Sequence, residues 1–211
     1  MTTPHQPAAS ARLNVVVLVS GTGSLLQAIL HGQDEHYAVV KVIADVPCQG
    51  IERAQAAGIA TEVVEMGEDR AEWNRRLVDA VDAAQPDVVV SAGFMKILGK
   101  DFLDRFEGRT INTHPALLPA FKGAHGVRDA LAYGAKVTGS TVHFVDAGVD
   151  TGAIIAQEPV RVLPEDDEAS LHERIKVVER ELIVTVLRAI RVQDAALTID
   201  FNNRCNKRKE G

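Results

Sequence analysis

The sequence predicts an α/β fold: a doubly wound, Rossmann-like, mostly parallel sheet in a single domain, with an antiparallel addition in the C-terminal half. Three observations predict it. Up to residue 114, apolar runs of strand length alternate with segments of helical length, as repeated strand–helix–strand units do. Some of those runs, NVVVLVS (14–20) and DVVVSAGF (87–94), are apolar almost throughout, which suits strands buried on both faces. Further on, two strand-like runs follow one another across a short polar loop, and short connections join antiparallel strands.

Residues 1–12 are polar with Pro and Ala and read as a disordered leader, without the apolar segment of a signal peptide. The first strand, 14–20, runs straight into GTGS and a helix at 25–32 that Gly32 stops. A strand at 37–45 follows, then a short helix, Gln49–Ala57, closed by Gly58. TEVVEM (61–66) alternates in polarity and reads as a strand near an edge. Glu68–Ala84 is an amphipathic helix with acidic residues in its first turn, where the helix dipole favours them. Pro86 introduces the strand 87–94, and Gly99–Phe106 is a short helix before a fifth strand, Arg109–His114. Then the rhythm changes. A loop (117–125) leads to a helix (127–134) ending in Gly134, and then to the paired runs 136–145 and 153–162. Asp166–Arg191 is a long helix, its stripe formed by Leu171, Ile175, Val178, Leu182, Val186 and Ile190. Residues 13–192 form the domain and 193–211 an extension, with a short strand at 196–201 and a frayed tail.

Composition narrows the function. The chain is 46% hydrophobic and 25% charged, as soluble enzymes are, and its 4% aromatic content favours aliphatic packing. A net charge of -6 argues against nucleic acid as a partner, since phosphate backbones need a basic face. No apolar run approaches a membrane span. Cys48 and Cys205 are far apart and in no metal-ligand spacing, which fits a reducing cytoplasm. Monomer and homodimer are both compatible with the pattern.

Three pieces carry chemistry. In TINTHPALLP (110–119), Asn112 and His114 are two apart at a strand end, so both side chains project to one face. Pro115 ends the ladder there. An Asn amide can donate to a developing oxyanion, and a His can donate a proton or polarise a carbonyl. In SGTGS (20–24), the glycines and the helix start suit one phosphate. The dinucleotide fingerprint is incomplete, because Leu26 stands where a third Gly is needed. A tight turn with Ser24 as N-cap is the plainer alternative. In DTG (150–152), Asp150 is either a turn residue or a carboxylate delivered toward His114. An aspartic protease would need two such motifs and an all-β fold. His143 reads as a core or supporting residue, and His125 as a substrate contact or a helix start.

NTHPALLP, with VSAGFMKIL (90–98) before it and TVHFVDAGVDTGAII (141–155) after it, closely resembles the folate-dependent phosphoribosylglycinamide formyltransferases. The likeness spans about residues 13–190. It implies formyl transfer from 10-formyltetrahydrofolate, as co-substrate, to the amino group of a glycinamide ribonucleotide, without a metal. Asn112, His114 and Asp150 are then the catalytic trio. Gly23, Ser24 and the backbone of Leu25 hold the ribonucleotide phosphate, helped by Lys176 and Glu179. Arg70 and the stretch Met95, Lys96, Ile97 and Leu98 line the folate site with Asn112, Asp146 and Asp150, and loop 146–150 closes over the pterin. The N-terminal half binds the ribonucleotide; the C-terminal half binds folate and carries catalysis. Leu25 stands where many members have Asn, Lys96 where Arg is common, and Lys122 and Val127 also depart from frequent choices. Lys96 is expected to matter through its backbone.

The rival readings are a formyltetrahydrofolate hydrolase or a formyltransferase for another amine, a nucleotide- or flavin-dependent oxidoreductase, and a non-catalytic module. The intact trio and the incomplete fingerprint count against the last two. The absence of room for an extra domain counts against the relatives that carry one.

Overall fold

The computed structural model describes residues 12–193 and 196–201. The expected leader up to residue 11 and the tail 202–211 lie outside the described residues. The elements are β1 (Leu13–Val19), α1 (Ser24–His31), β2 (Tyr37–Ala44), α2 (Gln49–Ala56), β3 (Ala60–Val63), α3 (Arg70–Asp82), β4 (Val88–Ser91), α4 (Lys100–Arg105), β5 (Thr110–His114), α5 (Gly126–Tyr133), β6 (Val137–Phe144), β7 (Ile154–Arg161), α6 (Glu168–Ala189), β8 (Ile190–Gln193) and β9 (Ala196–Ile199).

Seven strands form one sheet in the order β3-β2-β1-β4-β5-β6-β7. The first five pair in parallel, and β6 and β7 add antiparallel. The expected mixed sheet is therefore present, with β3 at its edge. The topology turns at β1, whose neighbours are β2 on one side and β4 on the other, and such switch points open a crevice at the strand ends.

The apolar runs work by alternation. Val15, Val17 and Val19 of β1 pack on one face with Leu26, Ile29, Ile183 and Val186 of α1 and α6. Val16 and Leu18 pack on the other face with Trp73, Leu77 and Phe102 of α3 and α4. Trp73 is fully buried, and its Nε1–H donates to the Val64 carbonyl at 2.7 Å, so the ring costs no unpaired donor. Gly32 closes α1 with right-handed φ of -82°. It is required for space rather than conformation, since a Cβ there would lie 2.6 Å from Tyr37 Oη and 2.7 Å from Val184.

Element ends move by a few residues throughout, and three of the shifts have a plain local cause. α6 stops at Ala189, because Ile190 turns extended and opens the β8–β9 hairpin. Its apolar Leu197 and Ile199 pack on the core, so the start of the extension is structured. β4 ends at Ser91, because Gly93 adopts φ 71° and turns the chain out of the sheet. α1 begins at Ser24 itself with Gly23 as N-cap and no side-chain cap, so Ser24 is not the capping residue.

Candidate active site

Register across the sheet aligns Ser91 of β4, Asn112 of β5 and His143 of β6, so the three share one face. They line a cavity of about 260 Å³ on the α3/α4 side of the sheet. Phe94, Met95, Lys96, Ile97 and Leu98 form one wall, and Val145, Asp146, Gly148, Val149 and Asp150 the other. Met95 and Ile97 are 80% and 64% exposed, so this wall is an open apolar rim suited to a flat ring.

Asp150 holds the histidines together. Its Oδ2 lies 3.3 Å from His114 Nδ1, and its Oδ1 lies 3.5 Å from His143 Nε2. The Gly123 N–H donates to Oδ2 at 2.8 Å. Burial works to raise the Asp150 carboxyl, but the His143 bond, the Gly123 amide and the two imidazoles outweigh it and hold the group below the ordinary carboxylate range. Asp150 sits at φ 52°, a left-handed conformation that Asp tolerates better than most residues.

His114 is 3% exposed, and its Nε2 donates to the Phe121 carbonyl at 2.8 Å. A carbonyl only accepts, so that nitrogen carries hydrogen. The other nitrogen faces a carboxylate, and a doubly protonated ring satisfies both. His143 Nδ1 likewise donates to the Phe144 carbonyl at 2.8 Å. Its Nε2 meets the Asn112 amide at 3.3 Å. That nitrogen accepts from Asn112 or, when protonated, donates to Asp150, but not both, so the Asn112 amide keeps at least one hydrogen for a ligand in the cavity.

The predicted folate-wall residues come together, with Arg70 and Lys96 in roles the sequence did not convey. Arg70 does not line the cavity; its Nη2 donates to the Ile97 carbonyl at 3.0 Å. Lys96 does more than offer backbone: its Nζ lies 3.6 Å from Asp45 Oδ2, a carboxylate 3% exposed at the end of β2. The Met95 N–H donates to Ser20 Oγ at 2.8 Å, tying this wall to the first loop.

The phosphate-loop residues lie apart from the cavity. Gly23 is left-handed at φ 69°, and Ser24 and Leu25 open α1 with free N–H groups. Leu25 is a core residue, 6% exposed, so only its backbone is available to a ligand. Lys176 and Glu179 share one face of α6, and Lys176 Nζ pairs with Glu173 at 2.7 Å. Burial pushes the Glu179 carboxyl above its ordinary range, against a hydrogen bond from Thr113 and the charges of Lys176 and Arg180. Strand alternation turns Thr113 away from Asn112 and His114, so the predicted ribonucleotide contacts occupy the α1/α6 side of the sheet. The two sides meet over the end of β5.

Sequence reasoning missed Asp45 and the Phe121 and Gly123 backbone groups. Only the adjacency of His143 to Asn112 had a signal, the pairing of 141–145 with β5. Among the described residues, the one cluster of metal-type donors is Asp34, Glu35 and His36, which is not part of the cavity wall.

Comparison with known proteins matches residues 13–187 to the family described as formyl transferase. The phosphoribosylglycinamide formyltransferase of Mycobacterium tuberculosis is 56% identical over 188 residues, 87% of this chain and 86% of that one. The Escherichia coli protein of the same name is 38% identical over 83% of this chain and 85% of its own. Among solved structures, glycinamide ribonucleotide transformylase 1 from Symbiobacterium toebii superposes with a TM-score of 0.84, at 34% identity, over 95% of this chain and 98% of that one.

Proposed function

Because this chain belongs to the formyl transferase family, we propose that it moves the formyl group of 10-formyltetrahydrofolate to the amino group of N1-(5-phospho-D-ribosyl)glycinamide. The products are the formylglycinamide ribonucleotide and tetrahydrofolate, a step of purine biosynthesis. The observation that carries this reading is the set Asn112, His143 and Asp150 on the cavity lining, with the buried His114 paired to Asp150.

The chemistry follows from that placement. The ribonucleotide lies along α1 and α6, its phosphate on the amides of Gly23, Ser24 and Leu25 and its sugar near Lys176 and Glu179. The folate ring lies between the rim at Met95–Leu98 and loop 146–150. The neutral amine attacks the formyl carbon, and the carbonyl oxygen becomes an oxyanion. A free Asn112 hydrogen donates to that oxygen, and the His114 ring, whose N–H groups are taken by the Phe121 carbonyl and Asp150, contributes positive charge rather than a donor. The amine then loses a proton, by way of Asp150 or water, and the bond from carbon to the folate nitrogen breaks as that nitrogen is protonated. No step requires a metal. No helix among the described residues is long and apolar enough to cross a membrane. A cytoplasmic location is part of the proposal.

The test is a formyl-transfer assay on the purified chain with both substrates and with each omitted. Formylglycinamide ribonucleotide and tetrahydrofolate are expected to appear in equal amounts, and only with both present. Loss of formyl from the folate without an acceptor would replace this reading with a hydrolase.

A further inference from the structure

The shape of the phosphate loop is imposed from behind by α2. The Gly50 N–H donates to the Gly21 carbonyl at 3.0 Å. Arg53 Nε donates to the Thr22 carbonyl at 2.8 Å. Two successive carbonyls are therefore turned toward α2. In a planar trans peptide the carbonyl and the following N–H point in opposite directions, so the N–H groups of Thr22 and Gly23 face away from it. Among the described residues, no acceptor takes the N–H of Thr22, Gly23, Ser24 or Leu25.

This backing needs both glycines. A Cβ on Gly23 would lie 2.7 Å from Gly50 Cα and 3.4 Å from Arg53 Cδ. A Cβ on Gly50 would lie 3.0 Å from Val19 and 3.3 Å from the Gly21 carbonyl oxygen. The guanidinium also keeps its charge for the loop. Its Nη1 donates to Gln27 Oε1 at 3.1 Å, and among the described residues no carboxylate is paired with it. An uncompensated cation behind a helix N-terminus adds to the field that draws an anion.

We infer that Arg53 is a positioning residue for the substrate phosphate: it holds the loop carbonyls back, so that four amides converge on the phosphate with a positive charge behind them. This rests on the functional reading above and extends it to a residue outside the loop. The experiment compares wild type with Arg53→Met, Arg53→Lys and Gly50→Ala. It measures KM for the ribonucleotide, KM for the formyl folate, and inhibition by inorganic phosphate.

Arg53→Met is expected to raise the ribonucleotide KM by about tenfold or more, the worth of one charge-assisted hydrogen bond. Phosphate inhibition weakens in step, and the folate KM stays within about twofold, because that wall meets the loop at Ser20, ahead of the Thr22 carbonyl that Arg53 holds. Arg53→Lys recovers part of the loss, since an ammonium can still donate to the Thr22 carbonyl. An unchanged ribonucleotide KM in Arg53→Met overturns the inference, as does an equal rise in both KM values or no recovery in Arg53→Lys. Should Arg53→Met not fold, Gly50→Ala displaces the second anchor and must give the same split. A wild type that transfers formyl beside an unaffected Arg53→Met refutes the clamp alone. A wild type that neither binds nor formylates the ribonucleotide refutes the functional reading and the clamp with it.

Discussion

His114 cannot be removed without freeing a carbonyl and a carboxylate, so it is a poor probe of chemistry. Asn112 and Asp150 are better ones. Asn112 makes one long hydrogen bond, at 3.3 Å, and Ala in its place leaves the sheet intact. Asp150→Asn keeps a residue that tolerates φ near 52° and an oxygen for the Gly123 N–H, and removes only the charge. Each variant is expected to lose about 3–4 kcal/mol of transition-state stabilisation, roughly a hundred- to thousandfold in turnover, while staying folded; the Asn112→Ala midpoint is unchanged, and the Asp150→Asn midpoint falls at neutral pH with the loss of a carboxylate held below its ordinary range. Turnover near wild type in either would remove it from the mechanism. Glu179 gives the converse case. Burial holds its folded-state carboxyl above the ordinary range, so at neutral pH the folded protein carries the cost of ionising it. Glu179→Gln removes that cost. Its unfolding midpoint at pH 7 should exceed that of wild type, and the gain should shrink as pH falls toward about 4, where the unfolded carboxyl is protonated too. The same variant should bind the ribonucleotide less well. A lower midpoint at pH 7 would show that Glu179 is structural and its role in binding unneeded.

At the scale of elements, the cavity wall proposed for the folate is the part least legible in the sequence. The segment 92–98 has no ladder of its own and depends on contacts from three distant elements: Ser20 after β1, Asp45 after β2 and Arg70 of α3. Pattern reading finds elements through periodicity, and such tertiary anchors have none. β5 and β6 were legible for the opposite reason. Asn112 and His114 sit two apart in an extended run, whereas the place of His143 beside Asn112 came only with the β5–β6 pairing. Asp45 was passed over because a carboxylate at a strand end looks like a turn residue until Lys96 is seen to cover it. Its Oδ1 has no hydrogen-bond partner among the described residues, which leaves Lys96 as its paired cation. Lys96→Met should therefore cost about 1–3 kcal/mol of stability, less than a fully buried pair because the lysine is partly exposed. Asp45→Asn in the same chain should restore most of that loss. Denaturant midpoints of the two single variants and the double variant decide it, and additive losses would dissolve the pair.

For the whole molecule, the alternation of apolar runs conveyed the sheet, its two helical faces and the late antiparallel pair. It did not convey that the residues proposed for the ribonucleotide and those proposed for the folate fall on opposite faces, because that depends on which face each strand residue meets after assembly. Thr113 toward Glu179, and Asn112 toward the cavity walled by residues 94–98, is a property of β5 in place. The helix that closes this arrangement, α6, is fastened to β7 at its first turn. Arg174 grips Asp166 with two bonds of 2.6 and 2.5 Å and also donates to the Arg161 carbonyl at 2.9 Å. Asp166 in turn accepts the Leu163 N–H at 2.7 Å, and Asp167 caps the helix with Ser170. Arg174 foremost, with the Leu163 amide, holds the Asp166 carboxyl far below its ordinary range, and the Ser170 amide lowers that of Asp167. A depressed carboxyl contributes its full stabilisation above the unfolded-state pKa, about 4, and loses it as pH falls through the folded value. Asp150 acts in the same direction and Glu179 against it. The unfolding midpoint of wild type should therefore fall steadily from about pH 5 to about pH 3. Asp166→Asn, which keeps an oxygen for Leu163 but not the ion pair, should begin lower and fall less over that interval. Parallel slopes for the two proteins would mean that the β7–α6 junction is not what acid releases first.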